Sequence, residues 1–255
     1  MRIPGAVLAV AVLAAVFASG AARAQGDEHM GLSRGLPITI DDADRIEAGG
    51  TELKLRSAYE RQRGNRHLFT LDPEVEFGIR RGLSLGLSPS YSMGNAEDGG
   101  RGDVEFELEY NILEISGLRP GITIAPAVSV PFGPGGESVQ SEIELRLTQP
   151  LGEAGTAPRL HLNVAWRHLH GAGDDERKDR YFAAAGVNFA VASTTAVAFD
   201  VVREPSRERG KVDNFVEAGV RHALGGETVL TAGAGAGLGP DSPRFRLLVG
   251  FQRSF

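Results

Sequence analysis

The chain contains no cysteine among its 255 residues. A secreted domain stapled by disulfides and a thiolate metal site are therefore both excluded. Aromatic residues make up only 7% of the chain, and bases number 27 against 33 acids, a net charge of −6. That balance argues against a nucleic-acid partner, whose phosphates call for a basic surface. Long apolar runs are missing after residue 24, and no later stretch approaches the roughly 20 residues of a membrane helix. Hydropathy alone would describe a soluble protein, but a transmembrane strand carries polar residues at every second position.

What is present begins with a leader. Arg2 precedes the apolar run Ala6 to Phe17, and Ala22-Arg23-Ala24 is a small-x-small cleavage site. This predicts a secretory signal peptide over 1–24, removed before Gln25. Residues 25–50 lack sustained periodicity and are expected to form a periplasmic segment or a plug entering a lumen.

From Thr51 to Phe255 the period is two. Val104, Phe106, Leu108, Tyr110 and Ile112 alternate with Asp103, Glu105, Glu107, Glu109 and Asn111. An amphipathic helix would instead repeat its apolar residues at three and four. About twelve such segments follow one another, each near the ~9–11 residues of a tilted membrane strand. Longer polar connections (94–101, 133–138, 171–178, 204–211) alternate with generally shorter turns, the asymmetry of outer-membrane barrels. The expected fold is an all-β, antiparallel up-and-down transmembrane barrel over 51–255, in the bacterial outer membrane.

A base at the bilayer midplane costs roughly 2–4 kcal/mol, so the apolar face should meet lipid and the charged face a lumen. The expected lumen-lining residues are Glu74, Glu76, Arg80, Asp103, Glu105, Glu107, Glu109, Glu142, Glu144, Arg146, Arg167, Glu217 and Arg221. Such a wall reads either as an ion-pair network bracing the barrel or as a charged constriction selecting solutes. Phe182 and Phe215 are the inward aromatics. Trp166, Tyr59, Tyr91, Tyr110 and Tyr181 read as interfacial girdle residues. The last strand carries Phe251 and Phe255 on its apolar face, the terminal aromatic resembling the signal read by barrel assembly machinery.

Catalytic patterns are thin. Gly82-Leu-Ser84-Leu-Gly86 matches the nucleophile-elbow spacing but lies inside an alternating strand, without the required strand-to-helix turn. His161 and Asn163 share an inward face without a serine placed to complete a hydrolytic set. His168-x-His170 with Asp174-Asp175 is the remaining candidate for a metal or hydrolytic loop site. No enzyme activity, cofactor or resident metal is expected. The expected partners are outer-membrane lipid, the assembly machinery and a small-molecule solute.

Several phrases together resemble the outer-membrane family associated with the meta-pathway of phenol degradation. They are Leu36-Pro-Ile-Thr-Ile-Asp-Asp-Ala43 leading to Gly50-Thr-Glu-Leu, Gly102-Asp-Val-Glu-Phe-Glu-Leu-Glu-Tyr-Asn111, Asn214-Phe-Val-Glu-Ala-Gly-Val220, and Ser242-Pro-Arg-Phe-Arg246. The resemblance implies a barrel that moves aromatic or other small compounds across the outer membrane. The competing expectations are a hydrolase using the loop His/Asp set and a structural or adhesive barrel.

Overall fold

The computed structural model describes residues 37–133, 138–153, 156–225 and 227–255. The expected signal peptide and the first part of the 25–50 segment lie outside them.

The described chain forms twelve strands: β1 (Thr51–Arg61), β2 (His67–Arg80), β3 (Leu83–Gly94), β4 (Gly102–Leu113), β5 (Gly121–Phe132), β6 (Gln140–Pro150), β7 (Arg159–Leu169), β8 (Asp179–Ala192), β9 (Thr195–Pro205), β10 (Val212–Gly225), β11 (Thr228–Gly237) and β12 (Phe245–Ser254). Each pairs antiparallel with its neighbour in sequence, and β12 returns to β1 to close a barrel. The closing register runs from Glu52 opposite Ser254 to Arg61 opposite Phe245. Closure leaves no unpaired strand edge, which is what lets a sheet cross hydrocarbon with its backbone satisfied.

The two faces are inverted relative to a soluble sandwich. Leu55, Phe77, Leu85, Phe106, Tyr110, Leu162, Phe199 and Leu247 are exposed, whereas Glu52, Glu76, Ser84, Glu109, Arg146, Glu217 and Arg221 are buried. Only lipid outside and a packed polar interior make that inversion stable, so the fold is a transmembrane barrel of the up-and-down type. Its strands are 10 to 14 residues long, enough to span a bilayer at a tilt.

β1 begins and β12 ends at the same rim, where Phe255 donates its N–H to the Thr51 carbonyl at 2.8 Å. We call this the terminal end. β2, β4, β6, β8 and β10 end there and the strand after each begins there, whereas β1, β3, β5, β7, β9 and β11 end at the far end. Two far-end loops are tied together: Arg177 N–H donates to the Arg207 carbonyl at 2.7 Å, and Arg209 N–H to Asp175 at 2.9 Å.

Candidate functional site

Strand alternation delivers one inward side chain every second residue, and neighbouring strands place acids opposite bases. Lys54 on β1 lies 2.9 Å from Glu74 and 3.0 Å from Glu76 on β2, and Arg56 lies 2.9 Å from Glu74. Arg146 on β6 reaches Glu144 at 2.7 Å and Glu107 at 3.0 Å, and it also binds Glu109. Arg167 on β7 bridges Glu142 at 2.8 Å and Glu204 at 2.7 Å, with its guanidinium over the Phe182 ring. Arg246 pairs with Glu217 at 2.6 Å and stacks 3.5 Å above Phe215. Arg221 binds the side chain of Gln252.

The predicted residues thus fall into linked clusters. Glu105 accepts from Ser129 Oγ at 2.9 Å, and Asp103 lines a cavity at the far end. Arg80 is a correction. The β2–β3 ladder shifts register between Gly78 and Arg80, which breaks the strict alternation, and Arg80 emerges exposed at the terminal rim. Phe251 is half-buried on β12, and Phe255 is exposed at the terminal rim, with the Arg253 guanidinium 5.3 Å from its ring.

Residues 37–46 run through the interior, and Glu47 to Gly49 emerge exposed at the terminal rim. Thr39 N–H donates to Glu217 at 2.9 Å, Ile40 N–H to Asp200 at 2.8 Å and Asp41 N–H to Asn163 Oδ1 at 3.0 Å. Ala43 N–H then donates to Thr148 Oγ1 at 2.8 Å, while its carbonyl accepts from Asn111 Nδ2 at 2.8 Å and Thr123 Oγ1 at 2.9 Å. Arg45 binds Glu109, and Asp44 pairs with Arg159 at 2.9 Å. A segment with no helix or strand of its own has its backbone satisfied partly by the barrel wall and partly by its own Asp41 and Asp42 side chains, which accept from Asp42 N–H and Asp44 N–H.

Ile38, Ile40, Ala43 and Ile46 of the segment are buried too. Ile40 is 1% exposed and joins Ile38 in a cluster with Phe182, Ala184, Ala198, Val202 and Phe215. Glycines make room for its passage. A Cβ on Gly78 would lie 1.9 Å from the Glu47 carbonyl oxygen, and one on Gly219 would lie 2.7 Å from Pro37 Cγ. From β10 and β11 at mid-barrel the segment crosses β9, β7, β6, β5 and β4 to reach β2 at the terminal end.

Charge on the segment is set by its surroundings. Burial raises the Asp42 carboxyl well above the usual range, reinforced by Asp44 and Asp41, and Asp42 Oδ2 has no hydrogen-bond partner. Burial also opposes ionisation of Asp41, but the fields of Arg146, Lys54 and Arg45 outweigh it and hold Asp41 below the usual range.

The anchors Asp200, Thr148 and Thr123 are not marked by the sequence, and Asn163 is marked only as inward beside His161. The available signal was a lone polar residue in an otherwise apolar inward file, as Asp200 stands among Ala196, Ala198 and Val202. His161, expected inward, bonds Thr148 Oγ1 at 3.0 Å and Asn188 Oδ1 at 2.8 Å, so it fixes the wall behind the segment.

The loop His/Asp set does not assemble. His168 pairs with Asp179 at 2.9 Å, and His170 with Ser141 Oγ at 2.9 Å, on the outer face near Trp166. Asp175 contributes its backbone carbonyl to the loop pairing instead. Ser84, in the elbow-like pentapeptide, sits mid-strand and donates to Glu109.

No family model and no curated protein matches this sequence. Solved structures match the fold. The COG4313 outer membrane channel from Pseudomonas putida F1 superposes with a TM-score of 0.64 at 14% identity, covering 86% of this chain and all of that one. The KdgM porin in complex with disordered oligogalacturonate gives 0.55 at 13% identity over 80% and 99%. The NanC porin gives 0.54 at 12% identity over 78% and 98%. The chain therefore has the fold of outer-membrane barrels, with channels and porins among its structural neighbours.

Proposed function

We propose that the protein is a passive outer-membrane channel for small solutes, in which residues 37–50 form a plug that must shift for solute to pass. The observation that carries the reading is the file of backbone hydrogen bonds from Thr39 to Ala43 onto six different strands. They run inside a barrel wider than the eight-stranded kind that side chains alone can fill. The resemblance to the phenol-degradation family favours aromatic or other small organic compounds as cargo. The orientation that fits the loop lengths puts the terminal end, and the plug with it, on the periplasmic side.

Liposome swelling and single-channel conductance of the full chain, compared with a chain lacking residues 37–48, test the proposal. Larger conductance and faster swelling in the deletion variant are expected. Equal permeation in both would overturn the plug, and no permeation in either would overturn the channel.

A further inference from the structure

Beyond the plug, the far half of the barrel encloses a polar cavity of about 270 Å³. Arg180, near the start of β8, lines it and is 8% exposed. Its Nη2 donates to the side-chain oxygen of Gln140, a neutral partner, and its Nε has no hydrogen-bond partner. Among the described residues no carboxylate lies within ion-pairing distance of it. A buried cation with no carboxylate in direct contact, and only Glu204 and Glu142 acting on it from farther off, is costly, and a ligand anion would relieve that cost.

The other charged groups of the wall decide what kind of anion fits. Arg101 is paired with Asp98 at 2.7 Å, and Glu204 with Arg167 at 2.7 Å, so neither is available. Glu60 on β1, Asp103 on β4 and Asp213 on β10 also line the cavity; among the described residues none of them has a base in direct contact, while Arg246 acts on Glu60 and Asp213, and Arg207 on Asp103, from farther off. A simple anion at Arg180 would face these carboxylates, whereas a simple cation would face Arg180 and Arg207. A molecule carrying both charges satisfies both walls.

We propose that this cavity is a binding subsite for a small zwitterionic amino acid, its carboxylate on Arg180 and its ammonium toward Glu60 and Asp213. Its volume falls just below the ~300–1,000 Å³ of drug-sized pockets, which suits a solute of a few heavy atoms. The proposal deepens the channel reading and rests on it for its role, since the subsite lies on the same lumen. Its test requires no permeation.

Saturation-transfer NMR on the folded full chain in detergent, with L-alanine, propionate and ethylamine as probes, reads the subsite directly. L-Alanine should bind roughly tenfold more tightly than either singly charged probe, and Arg180→Gln or Asp213→Asn should each weaken it about tenfold, in line with loss of one charged hydrogen-bond partner. Arg81→Gln, on an exposed turn, serves as the control and should bind as the parent does. Propionate or ethylamine binding as well as L-alanine, no binding of any probe, or parent-like binding in Arg180→Gln would overturn the proposal. Should Arg180→Gln lose its heat-modifiable mobility, and so its fold, the probe order on the parent decides. A protein that conducts without binding L-alanine keeps the channel and loses the subsite; one that binds without conducting does the reverse.

Discussion

Ile40 donates its backbone N–H to the carboxylate of Asp200 at 2.8 Å, joining residues 160 apart in sequence. A backbone donor outside any strand has found its acceptor on the far wall of a barrel, and its neighbours repeat the arrangement strand by strand. The plug is therefore a backbone held by side chains.

Removing one anchor should loosen the plug without unfolding the barrel. Thr148→Val keeps the shape of the side chain but strands the Ala43 N–H, which costs ~1–3 kcal/mol for a buried donor. Hydrogen exchange at Ala43 should accelerate while exchange in β6 stays slow. Unchanged protection at Ala43 would mean that the bond does not hold the plug.

Gly78 sets the exit of the segment at the terminal rim. A methyl group there would meet the Glu47 carbonyl at 1.9 Å, a backbone atom that cannot rotate away. Gly78→Ala should displace the plug and raise conductance, with β2 otherwise able to accept alanine. A variant with parent-like conductance and the parent's protease resistance over 37–50 would contradict this.

Arg146 binds Glu107, Glu109 and Glu144 together. Arg146→Met leaves buried carboxylates uncompensated and should cost ~3–5 kcal/mol. Urea unfolding followed by the heat-modifiable gel shift measures it. By contrast Arg81→Ala, which breaks a pair with Glu114 on an exposed turn, should leave the midpoint where it was.

The outer wall is testable in the same way. Leu162 lies mid-strand on the exposed face of β7, whereas Leu118 lies on the 114–120 turn. Leu162→Arg should cost ~2–4 kcal/mol in a bilayer and Leu118→Arg about 0–1. Equal costs would mean that the lipid belt is misplaced.

The barrel was legible because period two is a local signal. Val104 to Ile112 against Asp103 to Asn111 reads directly off the chain, and β4 spans that stretch. The inward placement of Glu109 and Arg146 follows from the same alternation. Arg80 was misread because a register shift after Gly78 leaves no trace in composition. The course of residues 37–50 was legible only as an absence of periodicity. Its partners Glu217, Asp200, Asn163 and Thr148 lie over a hundred residues away, and nothing local in Leu36 to Gly50 names them. His168 and His170 looked like partners for Asp174 and Asp175 by proximity in sequence. The ladder instead sets His168 beside Asp179 across β7 and β8.

The most direct test of the plug uses the absence of cysteine. A Cβ built on Gly121 lies 3.2 Å from Ala43 Cβ, slightly inside the usual ~3.5–4.5 Å of a disulfide, with the Ile115 side chain needing to turn aside. Single-channel conductance of an Ala43→Cys, Gly121→Cys double variant should be near zero when oxidised and return to the parent value on adding reductant. Equal conductance in the oxidised and reduced forms, with the crosslink verified by mass, would contradict a plug that moves.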